Sequence, residues 1–200
     1  DRYNCLAASI ADGKGPCLTI QHAAEAALSY DAHGKNYDVH IAPGKYQGLS
    51  IPGNIWGGTR IGSNGGSLEL DGAGSSYVTV DDTGRYCGAI YVGTGMEVQI
   101  KGLTITKAGG CNGGGSDLFV QNHGRIWLGP DVSFGSAGSS LLHIEAFGQV
   151  ETNVGFTISG SARVVFSLSN NAYMEFDPGG HVTITCVGSP AFRDFIYASA

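Results

Sequence analysis

In the second half of the chain, apolar and polar residues alternate within four short segments that superpose when shifted by 24 to 28 residues. Period-two alternation predicts strands with one buried face. Repetition every two dozen residues predicts that such strands stack around one shared core. The segments begin at Tyr91, Phe119, His143 and Ser167. When they are aligned, residues at equivalent positions form three mainly apolar columns. The first is Val92, Val120, Ile144 and Leu168, the second is Val98, Ile126, Val150 and Met174, and the third is Ile100, Leu128, Thr152 and Phe176.

Glycine supports the same architecture, because 33 of the 200 residues are Gly, about twice the usual frequency. A chain that turns a corner after every short strand needs residues that accept positive φ. We therefore predict an all-β fold, a single-stranded parallel β-helix, in residues 36–200. One revolution of this solenoid is called a coil below.

A helix is predicted ahead of the strands. In the run TIQHAAEAALSYDAHG the apolar residues follow helical spacing, with Thr19 as N-cap and Gly34 after the end. A solenoid exposes its core at the first coil, and an amphipathic helix there would cover it. Residues 1–35 are accordingly predicted to be an N-terminal loop and capping helix.

Residues 16–51, PCLTIQHAAEAALSYDAHGKNYDVHIAPGKYQGLSI, resemble the opening segment of the pectin lyase-like superfamily. There a T-I-Q-x-A helix precedes a strand that ends in a P-G-x-Y turn. The resemblance implies a right-handed parallel β-helix. It implies membership among phage or prophage tail spikes and fibres, bacterial surface proteins, or secreted polysaccharide lyases and hydrolases. For the tail-spike type it also implies a trimer in an extracellular or virion setting.

Charge and motifs narrow the partners. Net charge is −6 with no basic run, so we expect no nucleic-acid partner. No run approaches the roughly 18 apolar residues of a membrane span, and no nucleotide, metal or cofactor motif occurs, so we expect no membrane, metal or cofactor. We also expect this chain to belong to a longer protein.

The five cysteines bear on the compartment. Cys5 and Cys17 flank a short loop, and Cys87 and Cys111 are one coil apart. Stacked strands lie about 4.8 Å apart, within the Cα separation that a disulfide accepts. Both pairs are predicted disulfides of an oxidising compartment, with free buried thiols as the alternative. Cys186 is expected to be a small buried apolar residue.

Aligning the coils places candidate chemistry on the outer face. Trp127, Glu151 and Glu175 fall in one outward column, beside a column that contains Arg125 and Tyr173. Two carboxylates about 4.8 Å apart approach the separation of about 5 to 5.5 Å used by retaining glycosidases. Trp127 could stack on a sugar ring. The alternative is that the two glutamates are ordinary solvent-facing residues.

A second constellation lies on another strand. His143 and Glu145 are two residues apart on one face, with Phe119 and Gln121 in register one coil earlier. His143 could act as a base oriented by Glu145, although we prefer the interpretation that the two are solvent-facing polar residues.

Two functional classes remain. The favoured one is a structural or adhesive module that binds cell-surface glycans through Trp127, Arg125, Tyr173, His143 and Glu145. The alternative is a secreted polysaccharide lyase or glycoside hydrolase with Glu151 and Glu175 as catalytic residues. Sequence leaves the enzyme question open, with the balance towards no activity.

Overall fold

The computed structural model describes residues 17–28, 37–51, 68–81, 87–107, 115–176 and 183–199. Within these ranges one helix precedes eighteen short strands. The elements are α1 (Ile20–Leu28), β1 (Tyr37–Ile41), β2 (Gly44–Tyr46), β3 (Leu49–Ile51), β4 (Leu68–Gly72), β5 (Val78–Asp81), β6 (Gly88–Val92), β7 (Glu97–Lys101), β8 (Leu103–Lys107), β9 (Ser116–Val120), β10 (Arg125–Leu128), β11 (Val132–Ala137), β12 (Ser140–Ile144), β13 (Gln149–Thr152), β14 (Gly155–Ile158), β15 (Val164–Ser169), β16 (Tyr173–Phe176), β17 (Thr183–Cys186) and β18 (Asp194–Ser199).

The strands form three parallel sheets of six strands each, and every coil contributes one strand to each sheet. Sheet 1 is β1-β4-β7-β10-β13-β16, sheet 2 is β2-β5-β8-β11-β14-β17, and sheet 3 is β3-β6-β9-β12-β15-β18. The protein is therefore an all-β parallel β-solenoid, which confirms the predicted architecture at that level.

The predicted apolar columns are confirmed in register. Val98, Ile126, Val150 and Met174 are successive partners in sheet 1, and Val92, Val120, Ile144 and Leu168 are successive partners in sheet 3. Ile100, Leu128, Thr152 and Phe176 likewise follow one another. Except for Thr152 and Phe176, these residues belong to one continuous hydrophobic core along the solenoid or pack against it.

Two ionisable side chains share this interior. Lys107 and Asp117 are both fully buried, at the end of β8 and the beginning of β9. Burial raises the pKa of the Asp117 carboxyl well above its usual value, and the Lys107 backbone amide and ammonium oppose this shift without overcoming it. The buried carboxyl of Asp117 therefore takes up a proton at a higher pH than an exposed aspartate does.

Helix α1 packs on β1 and β3 of the first coil. Its N-terminus is capped as predicted, because the backbone N–H of His22 donates to Oγ1 of Thr19 at 3.1 Å. Ile20 and Ala24 are buried in the core. The Gln21 amide accepts from the Ser50 N–H at 2.7 Å and donates to the Ser50 carbonyl at 3.1 Å, so it satisfies backbone groups at the outer edge of β3. Gly34 lies outside the described residues.

Sheet 3 is joined to sheet 1 by tight turns that stack from coil to coil. The residue pairs at their tips all have positive φ: Asn122 and His123, Ala146 and Phe147, Asn170 and Asn171. A Cβ on the following residue Gly148 would lie 2.7 Å from the Val120 carbonyl oxygen, so only Gly fits the close approach of these coils. The turns fix where the next strand of sheet 1 begins.

The last coil is less covered than the others. Phe176 and Ile196 continue inward columns, yet they are 42% and 61% exposed because no described strand lies beyond them. Cys186 stacks on Ile158 in the same way. It is a free, exposed thiol, so the prediction of a buried Cys186 is wrong.

The other described cysteines are not free. Cys17 and Cys87 are each disulfide-bonded. Their predicted partners, Cys5 and Cys111, lie outside the described residues. The Cys5–Cys17 and Cys87–Cys111 pairings therefore stay predictions.

Candidate functional site

The outer face of sheet 1 carries the predicted columns. Trp127, Glu151 and Glu175 are successive partners in β10, β13 and β16. Arg125 and Tyr173 occupy the neighbouring outward column, with Gln149 between them. The structure thus brings together the side chains that the sequence alignment placed side by side, while their catalytic and binding roles stay predictions.

Glu151 differs from the expected solvent-facing carboxylate. Only 7% of its side chain is exposed, and Nε and Nη2 of Arg125 contact the same oxygen, Oε1, at 2.7 and 2.5 Å. A carboxylate in that position is stabilised by charge-assisted hydrogen bonds rather than destabilised by a neighbouring acid. Glu175, in register one strand further, is exposed. The expected outward pair therefore consists of one carboxylate held by Arg125 and one that faces solvent.

Arg125 also contacts Trp127 on its own strand and Glu97 on the preceding strand of the sheet. Its guanidinium carbon lies 4.9 Å from the centre of the Trp127 ring, a cation–π distance, and Nη1 lies 3.9 Å from Glu97 Oε2. The guanidinium is therefore shared among Trp127, Glu97 and Glu151. One face of the Trp127 ring is stacked against it, which fixes the orientation of the indole.

A second charge network lies nearer the first coil. The Lys101 ammonium forms an ion pair with Glu69 and lies 3.5 Å from Asp71 Oδ2, which in turn lies 3.2 Å from His40 Nδ1. The hydrogen bond that the Lys101 ammonium donates to Glu69 is the main reason that the pKa of Lys101 is raised. These contacts hold the Lys101 side chain in place close to Trp127.

Between the two networks is a groove of about 560 Å³. Its lining includes Trp127, Gln99 and Asn153 with the charged residues Glu69, Glu97 and Lys101. An aromatic ring with several convergent hydrogen-bonding side chains is the usual composition of a small ligand site. The amides and carboxylates accept hydrogen bonds, while Lys101, Gln99, Asn153 and the indole N–H can donate.

The second predicted constellation lies on sheet 3. His143 Nε2 is 3.3 Å from Glu145 Oε2, as their spacing predicted. The rings of Tyr91, Phe119 and His143 follow one another on successive coils with centre separations of 5.5 and 4.8 Å, and Gln121 hydrogen-bonds the Tyr91 hydroxyl. The rings are tilted by 60° to 73° to each other, so they form a packed ladder without a flat platform.

Some surface features were not predicted from the sequence. The Lys101, Glu69 and Asp71 network was missed because Glu69 and Asp71 precede the first aligned repeat segment. Phe147 stacks on His123 at 4.9 Å with rings 8° from parallel. Both residues occupy turn tips with positive φ, which aromatic residues rarely adopt. His123 and Phe147 occupy equivalent positions just after two of the aligned strands, and this equivalence in the sequence could have predicted their contact.

Comparisons with known proteins identify no relative: no protein-family model, curated protein or solved structure matches the chain. Among the described residues, no helix is long and apolar enough to cross a membrane. In the same part of the chain, His, Cys, Asp and Glu side chains do not gather in any group of three or more that could hold a metal ion. The fold thus rests on the structure itself, and the resemblance to the pectin lyase-like superfamily stays a prediction.

Proposed function

We propose that this protein is a non-enzymatic β-solenoid module of a tail-spike-like, fibre-like or bacterial surface protein, and that it binds cell-surface polysaccharide on the outer face of sheet 1. The observation that carries the proposal is the groove beside Trp127, where an aromatic ring meets convergent amide and charged side chains. Sugar rings present an apolar C–H face and a rim of hydroxyls, which is the complement of this lining.

The polar groups of the groove are already held in place. Lys101 is fixed by Glu69 and Asp71, and Trp127 is fixed by the Arg125 guanidinium. Side chains that are ordered before binding lose less conformational entropy when a ligand arrives. A rigid solenoid with a pre-organised outer face suits retention of a long, repetitive polymer.

Charge favours a neutral polysaccharide over an acidic one. The lining contains two acids, Glu69 and Glu97, and one base, Lys101. Both acids already contact a base, Lys101 and Arg125 respectively. No cation of this groove is left without an acid, and the whole chain carries a net charge of −6. In this groove an acidic polymer would therefore meet repulsion without a compensating partner.

The alternative function is a polysaccharide-degrading enzyme that uses Glu151 and Glu175. Its support is their register on neighbouring strands beside Trp127. Against it, Arg125 holds Oε1 of Glu151, and only 7% of the Glu151 side chain is exposed, so a sugar has little access to that carboxylate. We therefore place the non-enzymatic function first.

The setting that we propose is extracellular or virion-associated, with the chain as part of a trimer. The disulfide-bonded Cys17 and Cys87 support an oxidising compartment. We also propose that the solenoid is right-handed, as parallel β crossovers nearly always are, and that α1 serves as its N-terminal cap. The contacts of Gln21 with Ser50 support that capping role.

The test is an array of neutral and acidic polysaccharides scored for retention. Trp127→Ala is expected to reduce retention of a neutral polysaccharide by about tenfold or more, since a central aromatic anchor carries most of the binding energy. Tyr77→Ala, which removes an exposed aromatic ring outside the groove, is the matched control and is expected to change nothing. Unchanged retention by Trp127→Ala would refute the proposal.

The same array distinguishes the enzyme. Reducing and unsaturated ends are measured for the wild type and for the double variant Glu151→Gln, Glu175→Gln. Release of ends that disappears in the double variant would establish catalysis. Retention without any release supports the binding module.

A further inference from the structure

Two arginines lie in register at a corner on another side of the solenoid. Arg163 precedes β15 and Arg193 precedes β18, and these strands pair with Val164 opposite Asp194. The backbone N–H of Arg193 donates to the Arg163 carbonyl at 2.9 Å. The two backbones are thus one strand spacing apart, about 4.8 Å, and both side chains are exposed.

The charges at this corner do not balance. Like charges directly opposite each other on neighbouring strands destabilise a sheet. Arg193 Nε lies 3.5 Å from Asp194 Oδ2. In the part of the chain that the structure describes, the Arg163 guanidinium makes neither an ion pair nor a side-chain hydrogen bond. Among the described residues, one positive charge at this corner therefore has no acidic partner, although the chain as a whole has a net charge of −6.

The two arginines border a shallow hollow of about 470 Å³. The rest of its lining is small or apolar and includes Ala137, Ala162 and Phe192. Small side chains leave room for a ligand against the backbone, and the Ser161 hydroxyl, the one polar side chain of the lining besides the two arginines, already accepts a hydrogen bond from the Ala191 N–H at 3.1 Å. A bound anion would contact a guanidinium group on each of two sides and would lie on the apolar side chains of the hollow.

The number of donors selects the shape of the anion. Each guanidinium presents a planar fork that binds two oxygens at once. A carboxylate has two oxygens and can satisfy one fork. A sulfate or phosphate monoester has three free oxygens arranged tetrahedrally, so it can engage both forks together.

We infer that Arg163 and Arg193 form a binding site for a sulfate or phosphate ester; that a polysaccharide carries this ester rests on the proposed function. The site does not depend on the groove at Trp127, because it lies where sheets 2 and 3 meet. Failure of one site therefore leaves the other untouched, and Trp127→Ala is expected to retain a sulfated polymer like the wild type.

The test measures the affinity of the protein for five immobilised polymers: dextran sulfate, phosphorylated dextran, carboxymethyl dextran, plain dextran and double-stranded DNA. Arg163→Gln and Arg193→Gln are each expected to weaken the binding of dextran sulfate or phosphorylated dextran by about tenfold, since a charge-assisted hydrogen bond is lost. The comparison of those two polymers identifies the ester. The control Lys45→Gln removes an exposed positive charge in the first coil and is expected to have no effect.

Three results would overturn the inference. Equal binding of carboxymethyl dextran or DNA would show general attraction to polyanions, without selection of a tetrahedral ester. A loss in Lys45→Gln as large as in the arginine variants would lead to the same conclusion. Unchanged affinity in both arginine variants would show that the corner does not bind the ester at all.

Discussion

Replacing Glu151 with Gln tests whether this residue stabilises the structure or performs chemistry. Gln keeps the size of the side chain and removes its charge. Arg125 Nε and Nη2 would then donate to a neutral amide oxygen instead of a carboxylate oxygen, although Glu97 remains within 3.9 Å. We expect the variant to be less stable than the wild type.

The magnitude follows from the exposure of the two partners. Exposed ion pairs contribute about 0–1 kcal/mol, and breaking fully buried pairs costs about 3–5 kcal/mol. Here the Glu151 side chain is 7% exposed and that of Arg125 is 37% exposed, so Arg125 regains some water when its partner is lost. An intermediate loss of about 2 kcal/mol is expected, which corresponds to roughly 4–8 °C in Tm for a chain of this size.

Far-UV circular dichroism during heating and urea unfolding measures the change. Glu175→Gln is the matched control, because Glu175 occupies the same column one strand further and is exposed. It is expected to shift Tm by no more than about 2 °C. If Glu151→Gln left Tm unchanged while it abolished release of reducing ends, the structural interpretation of Glu151 would be refuted and the enzymatic one established.

Three further variants test other parts of the fold. Asp117→Asn should reduce the pH dependence of the free energy of unfolding. The raised folded-state pKa of Asp117 contributes stability that is present below about pH 4 and is lost as the pH rises through that pKa. The free energies of urea unfolding at pH 4 and pH 7 should therefore differ less in the variant than in the wild type. Gln21→Ala should cost about 1–2 kcal/mol and increase amide exchange at Ser50, whereas unchanged exchange would contradict the edge contact. Gly148→Ala should destabilise by about 1–3 kcal/mol because its Cβ would lie 2.7 Å from the Val120 oxygen, and an unaltered Tm would count against that close approach.

The register of the later coils was predictable from the sequence for a physical reason. A one-residue slip would turn every inward side chain outward, so the apolar pattern specifies the pairing strongly. Val98, Ile126 and Val150 keep that pattern across successive coils, and the structure pairs them. The first coils were less predictable, since their strands show no comparable repeat spacing.

The electrostatics of the outer face were not predictable in the same way. Register places Glu151 between Trp127 and Glu175, but it does not say which neighbour its carboxylate will contact. Arg125 lies in the adjacent column, and its long side chain reaches across to Glu151 in the next strand. Such diagonal contacts depend on rotamers, which column alignment does not specify.

Stacking also explains why function is difficult to infer from this fold. Outward side chains recur about every 4.8 Å, so nearly every polar residue has a neighbour within reach whatever its role. The informative property is therefore which groups have binding capacity left after those contacts form. Glu151 is occupied by Arg125, whereas Trp127 borders an open groove and the Arg163 guanidinium contacts no acid among the described residues. By this criterion we propose two ligand surfaces on the described part of the solenoid, one for a neutral ligand and one for an anionic ligand, and neither proposal requires a catalytic carboxylate.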